Sequence, residues 1–204
     1  MPRKPVDPYG LAKAHAEEHL ELLNEIHGLN FVTVVPHNVI GVGQRYYDPF
    51  RSVVGIMISR CLQKKPIVVY GDGEQMRSFS NVLDCIQAIY KIMQSDRDIA
   101  RQVYNIGPDD NEITIKQLAY KVGHHCGKYP SLTHFPDRPR EVKNAFCSSQ
   151  KVREEWNYNA TITVDKTIEE MVAWIRPQVR DFEYHLPIEF TTEETPKTWT
   201  EKLI

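Results

Sequence analysis

Short β-branched runs alternate along this chain with stretches of helical period, and that alternation restricts the fold to the α/β class. Phe31-Val-Thr-Val-Val35 is apolar, β-branched and stopped by Pro36, the pattern of a buried parallel strand more than of a helix. Ile67-Val-Val-Tyr70, followed by the turn Gly71-Asp-Gly73, and Val103-Tyr-Asn-Ile106 read as further strands. The predicted helices run from Tyr9 to about Ile26, from about Phe50 to Gln63, over Val82–Met93, and from about Ile115 to Cys126. The first places Leu11, Leu20, Leu23 and Ile26 on its apolar side, with Pro8 to set its start and Gly28 to stop it. Two more helices are expected near Ser149–Glu155 and Val164–Ile175. The Thr-, Glu- and Pro-rich chain from Pro177 onward reads as irregular structure wrapping the surface.

An α/β chain normally opens on a strand, a Gly-rich turn and a helix that together cradle a dinucleotide phosphate. Gly41-x-Gly43 and Gly71-x-Gly73 are the close Gly pairs here. Neither continues to a third Gly or Ala at the required spacing, and neither directly follows a strand and opens a helix with an acidic residue some 20 positions on. No dinucleotide cradle is therefore expected within the chain. The net charge of -2, without a basic block, gives no electrostatic case for nucleic acid. No apolar run approaches the roughly 20 residues needed to span a bilayer, so no membrane role is expected. Met1 to Pro8 lacks the apolar core of a signal peptide. Cys61, Cys85, Cys126 and Cys147 show no CxxC spacing and read as reduced thiols of a cytoplasmic protein. His124-His125-Cys126 has no second ligand pair at zinc spacing and reads as a helix end with two exposed imidazoles. No metal is expected.

Chemistry enters with Tyr9-Gly-Leu-Ala-Lys13, which sets a phenol and an ammonium one helical turn apart on one face. A free phenol ionises only near pH 10, but a cation within about 4–6 Å favours the phenolate, so such a pair can serve as a general base near neutrality. Taken alone, the spacing fits a solvated helix face at least as well.

The surrounding motifs decide between these readings. Asp7-Pro-Tyr9-Gly-Leu-Ala-Lys13-Ala-His-Ala-Glu17 resembles the Pro-x-Tyr-Gly-x-Ser/Ala-Lys-x-x-x-Glu segment of the extended short-chain dehydrogenase/reductases, the NAD-dependent nucleotide-sugar epimerases and dehydratases. Val34-Val-Pro36-His-Asn38-Val-Ile-Gly41-Val-Gly-Gln44 is similar to that family's Asn-Val-x-Gly-Pro-x-Gln stretch. Val69-Tyr-Gly71-Asp-Gly73-Glu-Gln-Met-Arg77-Ser-Phe79 is similar to its Gly-Asp-Gly-x-x-x-Arg-Asp-Phe motif. Pro136-Asp-Arg138-Pro-Arg-Glu141-Val142 resembles the late Arg-Pro-Gly-Asp-Val motif, and Trp156 stands where a Gly-Trp follows. The motifs keep the family's order and spacing over roughly 170 residues. The chain departs in three places: Arg140-Glu141 replaces Gly-Asp, Ser78 replaces the Asp of Arg-Asp-Phe, and Cys147-Ser148 replaces an Ala-Asp, with Ser148 still able to cap a helix.

The resemblance implies the C-terminal part of a Rossmann-like fold with a smaller α+β substrate-binding domain. Residues 1–48 would be the remnant of the dinucleotide-binding domain, 49–180 mainly the substrate-binding domain with interleaved core elements, and 181–204 a tail. By resemblance Tyr9 is the catalytic base, and Lys13 holds the nicotinamide ribose of NAD. Pro36 and His37 contact the nicotinamide end, Asn38 donates to a substrate phosphate, Gln44 lines the nucleotide or sugar pocket, and Arg77 and Arg138 clamp the diphosphate. The chemistry supports the arginines independently, because a diphosphate calls for permanently charged, multidentate donors. The implied partner is a nucleotide-diphosphate sugar, and the implied assembly a homodimer through the Tyr9 helix. The implied activity is that of a UDP-hexose or UDP-N-acetylhexosamine 4-epimerase. The alternatives are a 4,6-dehydratase, a UDP-glucuronate decarboxylase, or a non-catalytic sugar-nucleotide-binding module. The Gly-rich turn and the Ser or Thr that relatives carry upstream of the Tyr are missing, so a truncated chain, inactive alone, is the expectation.

Overall fold

The computed structural model describes residues 4–145, 147–185, 187–188 and 190–204. Helix α1 (Pro8–His27) opens where Asp7 Oδ1 accepts the Gly10 N–H at 2.6 Å and Pro8 occupies the first turn. It stops at Gly28, whose φ of 68° few other residues tolerate. Strands β1 (Thr33–Pro36) and β2 (Val39–Ile40) follow, then α2 (Val53–Leu62), β3 (Ile67–Tyr70), β4 (Met76–Ser78), β5 (Ser80–Asn81) and α3 (Val82–Met93). The chain continues through β6 (Val103–Ile106), β7 (Glu112–Thr114), α4 (Ile115–Cys126), β8 (Leu132–Phe135) and β9 (Asn144–Ala145). It closes with α5 (Gln150–Trp156), α6 (Val164–Ile175) and the short α7 (Lys197–Thr200). The fold is mixed α/β, with β1–β6, β2–β5 and β3–β8 each paired in parallel, while β4 runs antiparallel to β7 and parallel to β9. No helix among the described residues is long and apolar enough to cross a membrane.

Two apolar clusters hold the fold. The larger joins α2, α4 and α6 over β3 through Val54, Ile58, Leu118, Val122, Ile168 and Met171. The smaller packs Cys85, Ala88 and Ile92 of α3 with Tyr104 and Ile106 of β6 and Val152 of α5, with Val34 of β1 against it.

Predicted helices at 82–93, 115–126 and 164–175 and strands at 67–70 and 103–106 coincide with the structure. The helix expected from Phe50 begins later, because Ser52, at φ 60°, caps α2 by accepting the Gly55 N–H. The strand expected over 31–35 is β1, parallel as read but only half-covered. Its inner residues are partly buried, whereas Val35 and Pro36 are exposed, and among the described residues it pairs with β6 alone. The cap of α5 is Ser149; Ser148 Oγ instead accepts the Gln150 N–H at 3.3 Å. At the end of α4 only His124 is exposed, while His125 turns toward Asp165 at 3.4 Å. From Pro177 the chain is largely irregular as expected, but it does not merely wrap the surface: Thr198 on α7 is completely buried.

Candidate functional site

The parallel pairing of β3 with β8 sets Tyr70 opposite Phe135 at the carboxyl ends of both strands. Gly71, at φ 61°, leaves no room for a side chain against Asp137. The Asp137–Arg138 turn can therefore sit down on the strand end, and the Arg138 guanidinium lies 4.7 Å above the Tyr70 ring. Arg77 projects from β4, which is fixed on both edges by β7 and β9.

One carboxylate ties the two arginines together. Glu141 accepts from Arg138 at 2.6 and 3.2 Å and pairs with Arg77 at 3.4 Å, while Arg77 also donates to the Met76 and Lys143 carbonyls at 2.8 and 3.1 Å. Burial pulls the Arg77 pKa down against the pull of Glu141. Burial also opposes the charge on Arg138, but its bonds to Glu141 outweigh that cost and hold its pKa above the ordinary value. Two guanidinium groups against one carboxylate leave the Arg77–Glu141–Arg138 cluster with one positive charge in excess. Arg140, at the Gly position of the motif it resembles, adopts φ 57°, the left-handed backbone that Gly takes freely.

Arg77 and Arg138 face a cleft of about 740 Å³ that Tyr9 and Asn38 also line. Asn38 sits at φ 39°, a conformation Asn tolerates, and donates its amide to the Ser78 carbonyl at 2.8 Å. Tyr9 stands on the first turn of α1, 73% exposed, with Lys13 Nζ 5.4 Å from its ring centroid. Water around so open a ring screens the ammonium. Lys13, Pro36, His37 and Gln44 are not among the described residues that line the cleft. Pro36 ends β1 opposite Ile106. The His37 ring bonds the Ala145 carbonyl through Nε2 at 2.9 Å, which makes Nε2–H the donor. Gln44 accepts the Ser52 hydroxyl at 2.7 Å and so ties its loop to the start of α2.

A smaller cavity of about 270 Å³ adjoins the cleft. Asn38, Arg77, Arg138, Glu141 and Trp199 line both spaces, whereas Tyr9 lines only the larger. Sequence reading missed Glu141 as the bridge between the arginines, Tyr70 beneath Arg138, and Trp199 in the wall. The one available signal was Trp199 itself, an unusual residue for a polar tail left in solvent.

The NAD dependent epimerase/dehydratase family model matches residues 1–107, just over half of the chain. The chain belongs to that family. Proteins matching it include nucleotide-sugar epimerases, dehydratases and a decarboxylase. It is 26% identical over 184 residues to a dTDP-glucose 4,6-dehydratase of Haemophilus influenzae, covering 85% of this chain and 53% of the relative. Among solved structures it is similar to the UDP-glucose 4-epimerase of Thermotoga maritima with UDP-glucose, at TM-score 0.77 and 26% identity, covering 87% of this chain and 56% of that one. The UDP-glucose 4-epimerase of Thermus thermophilus in complex with NAD matches at TM-score 0.77 and 26% identity, over 86% and 56%. The chain thus spans about half the length of the relatives it matches, and the fold is that of the extended short-chain dehydrogenases.

Proposed function

We propose that this chain is the nucleotide-sugar-binding part of an NAD-dependent enzyme of the UDP-hexose or UDP-N-acetylhexosamine 4-epimerase type. The observation that carries the reading is one cleft lined at once by Tyr9, Asn38, Arg77 and Arg138. The guanidinium pair, held in place by Glu141, matches the charge and geometry of a diphosphate, and the adjoining phenol can reach a sugar hydroxyl linked to it.

NAD, when bound, would supply a reversible hydride acceptor at C4 of the sugar. The residues present fit its ribose end: Lys13 and Tyr9 share a face of α1, and the ammonium would hold a ribose hydroxyl. The pyrophosphate end of NAD is left to groups outside the Gly41-x-Gly43 and Gly71-x-Gly73 pairs, neither of which directly follows a strand and opens a helix among the described residues. Tyr9 Oη would take the 4-hydroxyl proton, and return it, once substrate covers the ring and excludes the water that screens Lys13. Pro36 and His37 would border the nicotinamide end, and Asn38 would offer its remaining amide N–H to a phosphate oxygen. Gln44 would act at one remove, by positioning the loop before α2. The same reading assigns residues 1–48 to the dinucleotide-binding part and 49–180 mainly to the substrate part. It also assigns the exposed Leu11, Leu22 and Ile26 of α1 to a homodimer face. The exposed Tyr9 face favours a chain that binds nucleotide sugar but does not turn it over by itself.

Calorimetric titration with UDP-glucose tests the binding claim. Saturable binding that weakens at least tenfold in Arg77→Ala and in Arg138→Ala is expected, and no binding by the unaltered chain sinks it. Incubation with NAD and UDP-glucose, dTDP-glucose or UDP-glucuronate tests the chemistry, and no turnover is expected. Any product overturns inactivity of the chain by itself, and a 4-keto-6-deoxy product or carbon dioxide release would also replace the epimerase assignment with a dehydratase or a decarboxylase.

A further inference from the structure

The C-terminal segment is built into the site. Thr198 is fully buried, and its hydroxyl is hydrogen-bonded to the Tyr70 phenol at the end of β3. Arg60 of α2 is buried, and a buried guanidinium is costly unless its donors are taken. Here two of them go to the Pro66 carbonyl at 2.5 Å and the Leu203 carbonyl at 2.9 Å, which ties the C-terminal segment to the start of β3. Tyr184 adds a weaker bond to the Ile204 carbonyl at 3.4 Å. These anchors hold the half-buried Trp199 edge-on to Phe50, with ring centroids 5.7 Å apart and planes at 83°.

That position puts Trp199 in the wall of both spaces of the site. The sugar of a bound nucleotide sugar must lie in the larger cleft, because Tyr9 is there and not in the smaller cavity. The arginines line both, so a diphosphate at their level sends its other end into the smaller cavity. At about 270 Å³ that cavity is near the lower limit of ligand pockets (~300 Å³), room for one ring system and not for a whole nucleotide. Its walls include the rings of Phe50, Phe79 and Trp199, with Arg51, Ser52 and Gln75 as polar side chains beside them. Flat rings set among polar groups suit a heteroaromatic base.

We propose that the segment 190–204 forms the base-binding wall of the substrate site, with Trp199 as the surface on which the base of a nucleoside diphosphate stacks. The inference rests on the nucleotide-sugar reading above, and its test separates the two. UDP and inorganic pyrophosphate are titrated calorimetrically into the unaltered chain, Trp199→Ala and Trp199→Phe, with thermal melts of each. UDP binding should weaken about tenfold in Trp199→Ala and stay within about threefold in Trp199→Phe, with pyrophosphate binding unchanged in both. UDP should also quench tryptophan fluorescence in the unaltered chain, and Trp199→Phe should lose that quench while still binding. Unchanged UDP affinity in Trp199→Ala, or a quench that survives in Trp199→Phe, overturns the role of the tail while leaving the nucleotide-sugar reading in place. Parallel loss of UDP and pyrophosphate binding assigns Trp199 a purely structural part and overturns it too. Failure of the unaltered chain to bind UDP at all removes both readings.

Discussion

The α2–α4–α6 layer and helix α1 are both patterned with apolar residues, yet they end in opposite environments. Val54, Ile58, Leu118, Val122, Ile168, Met171 and Ile175 are wholly excluded from solvent. Along the 20 residues of α1 only Ala14 is buried, and Leu11, Leu22 and Ile26 are 45–62% exposed. A helical period and good caps suffice to make a helix, but burial needs a second surface. The arginine pair therefore rests on strands backed by the larger core, while Tyr9 rides on a helix with little beneath it. Binding geometry is preorganised here to a degree that the base geometry is not.

The contrast is easiest to break by mutation. In a urea titration of the dissociated chain, Ile168→Ala should cost about 2–5 kcal/mol, whereas Leu22→Ala on α1 should cost under about 0.5 kcal/mol. Similar losses at the two positions would show that α1 is as well packed as the core.

The smaller cluster can be probed by alkali. Burial raises the Cys85 thiol from its ordinary 9.0 to about 11. The fold prefers the neutral thiol, so this stability is fully present below about pH 9 and is lost as pH rises toward about 11, on the order of 2–3 kcal/mol at this fully buried position. Cys85→Ala should flatten that part of the alkaline unfolding curve. An unaltered slope would mean that α3 does not hold the thiol away from water.

The smallest effect is expected at the rim of the larger layer. The Lys121 ammonium, helped by His125, holds the Asp165 carboxyl below its ordinary 3.8. A depressed carboxyl stabilises above that ordinary value, and the contribution disappears as pH falls through the lower folded value. Because the Asp165 side chain is 49% exposed, Asp165→Asn should cost at most about 0.5 kcal/mol at pH 7, and progressively less as pH falls below 3.8. A loss of 2 kcal/mol or more would place the pair inside the core rather than at its edge.

Much of this architecture was legible residue by residue. Helix α4 announces itself through Thr114 and Gln117, whose reciprocal bonds form a capping box, and α3 through the Asn81 side chain on the Leu83 N–H. Strands β2, β4, β5, β7 and β9 escaped notice because two or three residues carry no period to read, and β8 because Leu-Thr-His-Phe neither alternates nor forms an apolar β-branched run. Of the site, the motifs named Asn38, Arg77 and Arg138, but not the carboxylate that joins the arginines. Glu141 could be recognised as an acid in a motif; its double pairing depends on β4 and the turn after β8 meeting 64 residues apart.

By itself, then, the sequence determined the local elements and the family: caps, glycines at left-handed turns and motif order act over a few residues and survive without a partner surface. Tertiary structure alone decided that residues from α1, β4, the turn after β8 and the C-terminal tail enclose one cleft. It also decided which apolar faces found cover, because burial and charge pairing depend on distances in space that a linear pattern does not encode.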